Sequence, residues 1–380
     1  MTSHYPLCVA TWTIGRPSET FIRRHVQQLL PQRTVVIAHE MLPAAERTWS
    51  FDGPVSLYRP SPKRWRQRLQ NLAIRFGHVP SDLRDFLRRH GVQVVMSEYL
   101  GDFYGLGPAF KHLGIRWYVH LHGHDLSRAL RHQPRRILAA HRAADGFIVV
   151  ATLQRQRLVE LGVPPDKIHV VPCGTDLPSP PERRVDDGTV RCAAIGRMVA
   201  KKAPLLLLEA FRHAATEEPR LRLEYVGGGE LLEEASRFVA AHGLAGQVVL
   251  HGAQPSEVVK EVLARSDLFL LHSVTAPNGD EEGLPVAILE AMAHGLPVVS
   301  TRHAGIPDAV VPEETGLLVA EGDVAAMAAA IVRLARDASL RARLGTEGRR
   351  RVEERFTFQI ERSRLLRLMG LDPEVSGGSH

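Results

Sequence analysis

The chain is predicted to be an α/β protein of two doubly wound domains, each a parallel sheet with helices on both faces. Three observations predict it. Short β-rich apolar runs alternate with helical patterns along most of the sequence, as βαβ units require. One segment rich in Pro and charge, Pro178-Ser-Pro-Pro-Glu-Arg-Arg-Val-Asp-Asp-Gly188, interrupts that alternation near the middle and reads as a linker. The length of 380 residues, 44% hydrophobic and 24% charged, is enough for two cores of ordinary domain size.

In the first half, strands are expected at Leu7–Thr11, Thr34–Ala38, Val55–Tyr58, Val92–Ser97, Trp117–Leu121, Gly146–Val150 and Ile168–Val171. Helical patterns fall between them at Thr20–Leu30, Leu100–Leu113, Ser127–Ala143 and Leu153–Leu161, with Ser18 placed to cap the first. After the linker the alternation restarts: strand Val190–Ile195, helix Pro204–Ala214, strand Arg222–Val226, helix Leu231–His242, strand Gln247–Leu250, helix Glu257–Ala264 and strand Leu268–His272. Strands Val298–Thr301 and Gly316–Val319 and helix Val324–Leu334 follow. In such domains ligands bind at the carboxyl ends of the strands, here in a cleft that the two domains face.

Bulk composition narrows the function. Three widely spaced cysteines, Cys8, Cys173 and Cys192, form neither a disulfide framework nor a CxxC metal pair, and fit a reducing cytosol. No basic region followed by a long apolar run opens the chain, so no signal peptide is expected, and no apolar run approaches the ~18 residues of a membrane span. A formal net charge of +6 points to anionic partners such as phosphates or acidic lipids. Zinc-finger spacing, RNP-type aromatic motifs and basic repeats are lacking, so nucleic acid is not expected among them.

The chemistry concentrates in Glu282-Gly-Leu-Pro-Val-Ala-Ile-Leu-Glu290, which continues into Ala291-Met-Ala-His-Gly295. Pro285 suits a first helical position, because its φ is helix-ready and its missing N–H is not needed there. Gly295 suits the helix end. Glu282 then lies in the loop at the helix mouth, and Glu290 about one and a half turns inside, roughly 10 Å away at ~1.5 Å rise per residue. Between them the free amides of Gly283, Leu284 and Val286 and the positive dipole end of the helix, which the chain enters at Pro285, form an anion site. A ligand with a hydroxyl-bearing ring at each end and phosphate in the middle matches this arrangement, and a nucleotide-sugar has that shape. The blander alternative is that Glu290 simply faces solvent.

Other segments point the same way. Gly196-Arg197-Met-Val-Ala-Lys-Lys202-Ala203-Pro204 follows a strand and precedes a helix, so Arg197 and Lys202 can place two cations on one pyrophosphate, Arg by bidentate hydrogen bonds and Lys as a point charge. Gly227-Gly228-Gly229 ends a strand; such a turn allows close approach to a ligand but also serves packing alone, and it lacks the full dinucleotide fingerprint, which argues against a nicotinamide enzyme. Asp280-Glu281-Glu282 could suggest a metal, but no Asp-x-Asp motif exists; Asp280 and Glu281 read as a solvated loop or acceptor contacts.

These motifs, in this order, resemble the retaining glycosyltransferases of family 4, which have the GT-B fold. The stretch from Glu282 matches E-G-x-P-x-x-x-x-E-A. Arg197 and Lys202 match G-R-x(4)-K-G, with Ala203 in place of the final glycine. His122-Gly123-His124-Asp125 resembles H-G-x-D, and Gly15 stands where the family often has two glycines near the donor phosphates. Ser18-Glu-Thr-Phe-Ile22 looks like the subgroup that builds exopolysaccharides such as colanic acid and amylovoran.

The resemblance implies a hexosyltransferase that takes sugar from a nucleoside diphosphate to a glycan or lipid-linked saccharide, with no metal and no cofactor. Glu290 would hold the ribose and Glu282 the transferred sugar. Arg197, Lys202 and the helix amides would hold the diphosphate, and His122, unless it is a structural cap, would face the sugar. It also implies that the last helix crosses back to the first domain. Boundaries are therefore expected at 1–178 with 356–371, and 179–355, with 372–380 as a disordered tail. A sugar-nucleotide epimerase would share fold and phosphate contacts. A non-enzymatic scaffold would need damaged site residues, and these are intact.

One surface stands apart. Between Gly53 and Ser81 there is no acidic residue, yet Arg59, Lys63, Arg64, Arg66, Arg68 and Arg75 all occur. Trp65, Leu69, Leu72, Ala73 and Phe76 fall on one helical stripe. The expectation is an interfacial helix docking on an anionic membrane surface at the cytoplasmic face, against the alternative that the stripe packs on the sheet.

Overall fold

A computed structural model describes residues 4–371 except 17, 18, 60–62, 64, 66–68, 70, 71, 75, 77 and 180–186. Ser18, Arg64, Arg66, Arg68, Arg75 and the 372–380 tail lie outside the described residues. The chain divides into two compact units, Met1–Val171 with Arg362–His380, and Pro172–Glu361.

In the first unit the strands are β1 (Leu7–Ile14), β2 (Thr34–Met41), β3 (Val55–Leu57), β4 (Val94–Glu98), β5 (Arg116–Leu121), β6 (Gly146–Val149) and β7 (Ile168–Val170). They pair in the order β3-β2-β1-β4-β5-β6-β7, every neighbour parallel. The second unit has β8 (Val190–Ile195), β9 (Leu221–Val226), β10 (Val248–Gly252), β11 (Leu268–Leu271), β12 (Val298–Thr301) and β13 (Gly316–Val319), in the parallel order β10-β9-β8-β11-β12-β13. Strands buried on both faces read as continuous apolar runs, which is why the sequence locates them so well.

Alternation along β1 explains the layering. Leu7 and Val9 enter one core and Cys8 and Ala10 the other, because successive side chains point to opposite faces. The core around Leu7 and Val9 also takes Leu365, Leu366 and Met369, all buried. Burying each of these side chains stabilises by about 1.5–3 kcal/mol, which holds the end of the last helix, Phe358–Leu368, in the first unit.

Hydrogen bonds account for where the two compact units divide. The segment after Val171 is pinned inside the second unit: Gly174 N–H donates to the Glu361 carboxylate at 2.8 Å, Thr175 N–H to the Phe356 carbonyl at 2.9 Å, and Phe358 N–H to the Thr175 carbonyl at 3.0 Å. The second compact unit therefore begins at Pro172, ahead of the Pro-rich segment, and the return to the first unit starts at Arg362.

Three helical stretches also differ. The pattern at Ser127–Ala143 is two helices, Gly123–His132 and Pro134–Ala140, because Pro134 lacks an N–H and drives Gln133 out of helical geometry (φ −143°, ψ 44°). Thr20–Leu30 is an α-helix to Arg24 and then a π-helix, His25–Leu29. Leu100–Leu113 is a 3₁₀ turn, Asp102–Leu106, followed by the helix Gly107–His112. Helices Ser81–Arg89 and Ala338–Arg355 are additional. The buried stripe of the second, Leu340, Leu344, Gly345, Gly348 and Val352, includes two glycines, so its apolar period is hard to read. A Cβ on Gly345 would lie 2.0 Å from the Gly295 carbonyl oxygen, so close helix contact requires glycine there.

Candidate functional site

In the second unit the strand order reverses between β8 and β11. Loops leaving the carboxyl ends of two such neighbours run in opposite directions and open a crevice between them. The loop after β8 supplies Lys201 and Lys202, and the loop after β11 supplies Asp280 and Glu282. Lys202 Nζ lies 3.4 Å and Lys201 Nζ 3.6 Å from Glu282 Oε1. Lys201 also donates to Asp280 Oδ1 at 3.2 Å and to the Glu281 carbonyl at 3.3 Å. Two ammonium groups thus face two carboxylates, and all four side chains are only 7–18% exposed. Arg197 lies exposed at the start of the same loop.

The charges hold one another ionised. Burial alone would push the Glu282 carboxyl up, but Lys202 and Lys201 outweigh it and hold its pKa below the ordinary 4.5. Burial pushes Lys202 below its ordinary 10.5, Glu282 opposes, and Lys201 and Arg197 add to the depression. Lys202 is thus a buried cation whose charge depends on an acidic partner.

Asp280 is an anchor for Lys201 and not part of a solvated loop, while Glu281 faces the Thr275 hydroxyl at 3.4 Å. Gly227 and Gly229 are explained by packing: added Cβ atoms would lie 1.9 Å from the Gly196 carbonyl oxygen and 2.5 Å from that of Met198. That close approach lets the loop after β9 support the Arg197 loop from behind.

Ala203 sits in the left-handed region, φ 38° and ψ 54°, where a side chain costs roughly 1–2 kcal/mol relative to glycine. Ala203→Gly is therefore expected to raise the stability of the second unit, by up to about 1 kcal/mol after the added flexibility of the unfolded chain. Chemical denaturation would measure it, and an unchanged or lowered midpoint would contradict the strain.

The signature helix runs Val286–Ala293, with Pro285 as its N-cap rather than its first helical residue. Gly283, Leu284 and Pro285 are buried; Val286 and Glu290 are half-buried. The Gly283 carbonyl accepts from Gly305 N–H at 2.8 Å, tying the helix mouth to the loop after β12.

The first unit holds a second polar cluster, at the ends of β4 and β5. Glu98 is buried, with His25 Nδ1 2.6 Å from its Oε1, and His122 Nε2 (3.0 Å) and His120 Nδ1 (3.3 Å) beside its Oε2. Burial would raise the Glu98 carboxyl, but the charges of His25 and His120, with a hydrogen bond from His122, hold it well below the usual carboxylate range. His122 caps the helix Gly123–His132, its N–H donating to Asp125 at 2.8 Å. Burial and His120 drive the His122 pKa down to about 4, against the pull of Glu98, so the ring is neutral near pH 7. Phe21 packs on it at 4.3 Å.

Ligand atoms of His25, Glu98 and His120 all fall within 4.8 Å of one another, as a metal would need. The 2.6 Å His25–Glu98 contact fits a charge-assisted hydrogen bond better, since ligands at ~2.0–2.2 Å from a tetrahedral zinc stand about 3.3–3.6 Å apart. Gly15 follows β1 with φ 105°, a glycine conformation, and an added Cβ would lie 2.5 Å from Arg47 Cγ. A ligand role for Gly15 has to share that space with Arg47.

Comparison with known proteins agrees with this layout. Residues 18–178 match the model described as Glycosyltransferase Family 4, and residues 180–351 that described as Glycosyl transferases group 1. The chain belongs to these glycosyltransferases. It is 32% identical over 259 residues to the amylovoran biosynthesis glycosyltransferase AmsK of Erwinia amylovora, which covers 65% of this chain and 62% of AmsK. The chain thus spans about three-fifths of the length of that relative.

It is also 28% identical over 306 residues to the GDP-mannose-dependent alpha-(1-6)-phosphatidylinositol monomannoside mannosyltransferase of Mycolicibacterium smegmatis, covering 77% of this chain and 80% of that one. The crystal structure of HepE from Anabaena in complex with UDP superposes with a TM-score of 0.76 at 16% identity, over 96% of this chain and 99% of that one. That likeness shows the fold, two doubly wound α/β units of the GT-B type.

Of the residues singled out in the sequence of this glycosyltransferase-family chain, Lys202 and Glu282 meet directly and Arg197 acts on Lys202 through space. Glu290 lies on the adjoining helix, and Gly15 and His122 belong to the other unit. Sequence reasoning missed Lys201, His303, His25, Glu98 and His120. Glu98 and His120 had a signal, a titratable group ending or nearly ending an apolar strand; His25 had none, since only folding brings it to Glu98.

Proposed function

We propose that this chain is a retaining hexosyltransferase, moving a hexose from a UDP- or GDP-sugar to a hydroxyl of a glycan or lipid-linked saccharide without a metal. The observation that carries the reading is the Lys202–Glu282 pair beside the mouth of the Val286–Ala293 helix, at the strand-order reversal of the second unit. Arg197, Lys202 and the amides of Gly283, Leu284 and Val286, at the helix mouth formed with Pro285, stabilise the charge that develops on the leaving diphosphate, electrostatic help aimed at the transition state. Glu282 contacts the sugar hydroxyls and Glu290 the ribose. Acceptor attack takes place on the face the diphosphate leaves, with a diphosphate oxygen drawing off the proton. His122, held neutral, offers its ring edge to the sugar.

A thermal-shift screen of nucleoside diphosphates and their sugars tests the donor class, because bound ligand raises stability by RT ln(1 + [L]/Kd). The right donor should then give a product of unchanged anomeric configuration by NMR; an epimerised donor with no acceptor present would overturn the reading. Activity is expected to survive EDTA, since Lys201, Lys202 and Arg197 supply the positive charge and Asp280 already pairs with Lys201. Complete loss, restored by Mg²⁺ or Mn²⁺, would put a metal in the site.

We place the acceptor at an anionic membrane surface on the cytoplasmic side. Among the described residues no helix is long and apolar enough to cross a membrane. Trp65, Leu69, Leu72 and Phe76 are 58%, 56%, 49% and 75% exposed, whereas Ile74, off that stripe, enters the core. An exposed apolar stripe in a basic segment supports interfacial binding over packing on the sheet, each Lys or Arg contributing up to about 1 kcal/mol near acidic lipid. Sedimentation with phosphatidylglycerol vesicles should be salt-sensitive and weakened by changing Arg64, Arg66 and Arg68 to Glu. No binding at low salt would favour a soluble acceptor.

A further inference from the structure

We propose that His303, backed by Glu321, is a positioning residue that aims the Glu282 carboxylate; the inference rests on the reading of Glu282 as the sugar contact. His303 follows β12, and its side chain is 1% exposed. Its Nδ1 lies 2.6 Å from Glu321 Oε1, so Nδ1 carries the proton and donates. That leaves the Nε2 lone pair to accept the Glu282 backbone N–H, at 3.2 Å.

The peptide unit joining residues 281 and 282 is thus held from both sides. Its carbonyl, on Glu281, accepts from Lys201 Nζ, and its N–H, on Glu282, donates to His303. One residue later the Gly283 carbonyl is tied to Gly305 N–H. With that peptide plane held and the Gly283 carbonyl tied as well, the Glu282 backbone is restrained on both sides, and its side chain reaches Lys201 and Lys202.

Glu321 extends the clamp. It lies just beyond β13, and its second oxygen accepts the Thr275 N–H at 2.9 Å, in the loop after β11. Its neighbour Gly322 donates its N–H to buried His272 Nε2 at 3.0 Å. Glu321 and His303 therefore tie the loops leaving β11, β12 and β13 to one another. A carboxylate–imidazole pair is stiffer than a single side chain, because the carboxylate fixes both tautomer and ring orientation, as it does for histidines that hold metals.

Three variants test this. His303→Leu removes donor and acceptor at similar size. His303→Gln keeps both, an amide N–H for Glu321 and a carbonyl for Glu282 N–H. Glu321→Gln keeps the shape and removes the charge. Expected for His303→Leu is a fall in kcat of roughly 10–100-fold with donor KM changed far less, as when a supporting group lets a reacting one drift. His303→Gln should recover most of it, and Glu321→Gln should fall between.

Amide hydrogen exchange over 276–285 supplies a readout independent of transfer: faster in the Leu variant, near wild type in the Gln variant. If His303→Leu does not fold, Glu321→Gln, whose carboxylate is 35% exposed, decides by the same two measurements. Unchanged exchange and unchanged kcat, or a Gln variant as impaired as Leu, would overturn the positioning role. A wild-type protein that transfers from no nucleotide-sugar yet shows the exchange pattern would instead sink the functional reading and leave the clamp standing.

Discussion

Lys202→Ala is expected to lower turnover by about 10²–10³-fold, equivalent to roughly 2–4 kcal/mol of lost transition-state stabilisation. The side chain is only 11% exposed and has Glu282 3.4 Å away, so a diphosphate oxygen beside it would meet a cation in a water-poor setting. Arg197→Ala should act in the same direction. Arg197 is exposed, so its removal leaves the core untouched and the melting temperature near wild type. Steady-state kinetics with the donor found by thermal shift checks both. Near-wild-type turnover in the two variants would remove diphosphate stabilisation from these residues. Loss confined to KM would mean that they bind ground state and transition state equally.

Glu98→Ala is expected to destabilise the first unit by roughly 3–5 kcal/mol, the usual scale for removing one partner of a buried ion pair. His25 and His122 would each lose a buried acceptor and His120 its charge partner 3.3 Å away, and His25 and His120 are fully buried. Glu98→Gln keeps one acceptor and should cost less. Its pH dependence has a definite sign. The folded-state pKa of Glu98 lies below its unfolded value, so its contribution is fully present above about 4.3 and disappears as the pH falls further. The stability difference between wild type and Glu98→Gln should therefore shrink below that pH. Urea unfolding from pH 7 down to pH 3.5 measures it, and a difference that grows on acidification would contradict an ionised Glu98.

The sequence alone determined the α/β class, the core of every strand and the helix that follows Glu282 and carries Glu290. Each rests on local physics: apolar runs buried on both faces, turn glycines, and a proline at a helix mouth. The pairing of Lys202 with Glu282 comes instead from the sheet order, which makes the loops after β8 and β11 neighbours. The helix Ala338–Arg355 was hard to read because glycine, where close contact demands it, replaces part of the apolar stripe.

Tertiary structure decided what depends on residues far apart in the chain. Glu98 meets a histidine 73 positions earlier, and His303 takes the Glu282 amide from 21 positions later. Neither spacing has a period that a linear reading could detect. The compact second unit likewise takes in Pro172–Leu177, because hydrogen bonds from Gly174 and Thr175 join that segment to residues 356–361. Local periodicity fixes which segments form elements. The charge partners and loop clamps that tune a site are fixed by which strand ends the sheet order brings together.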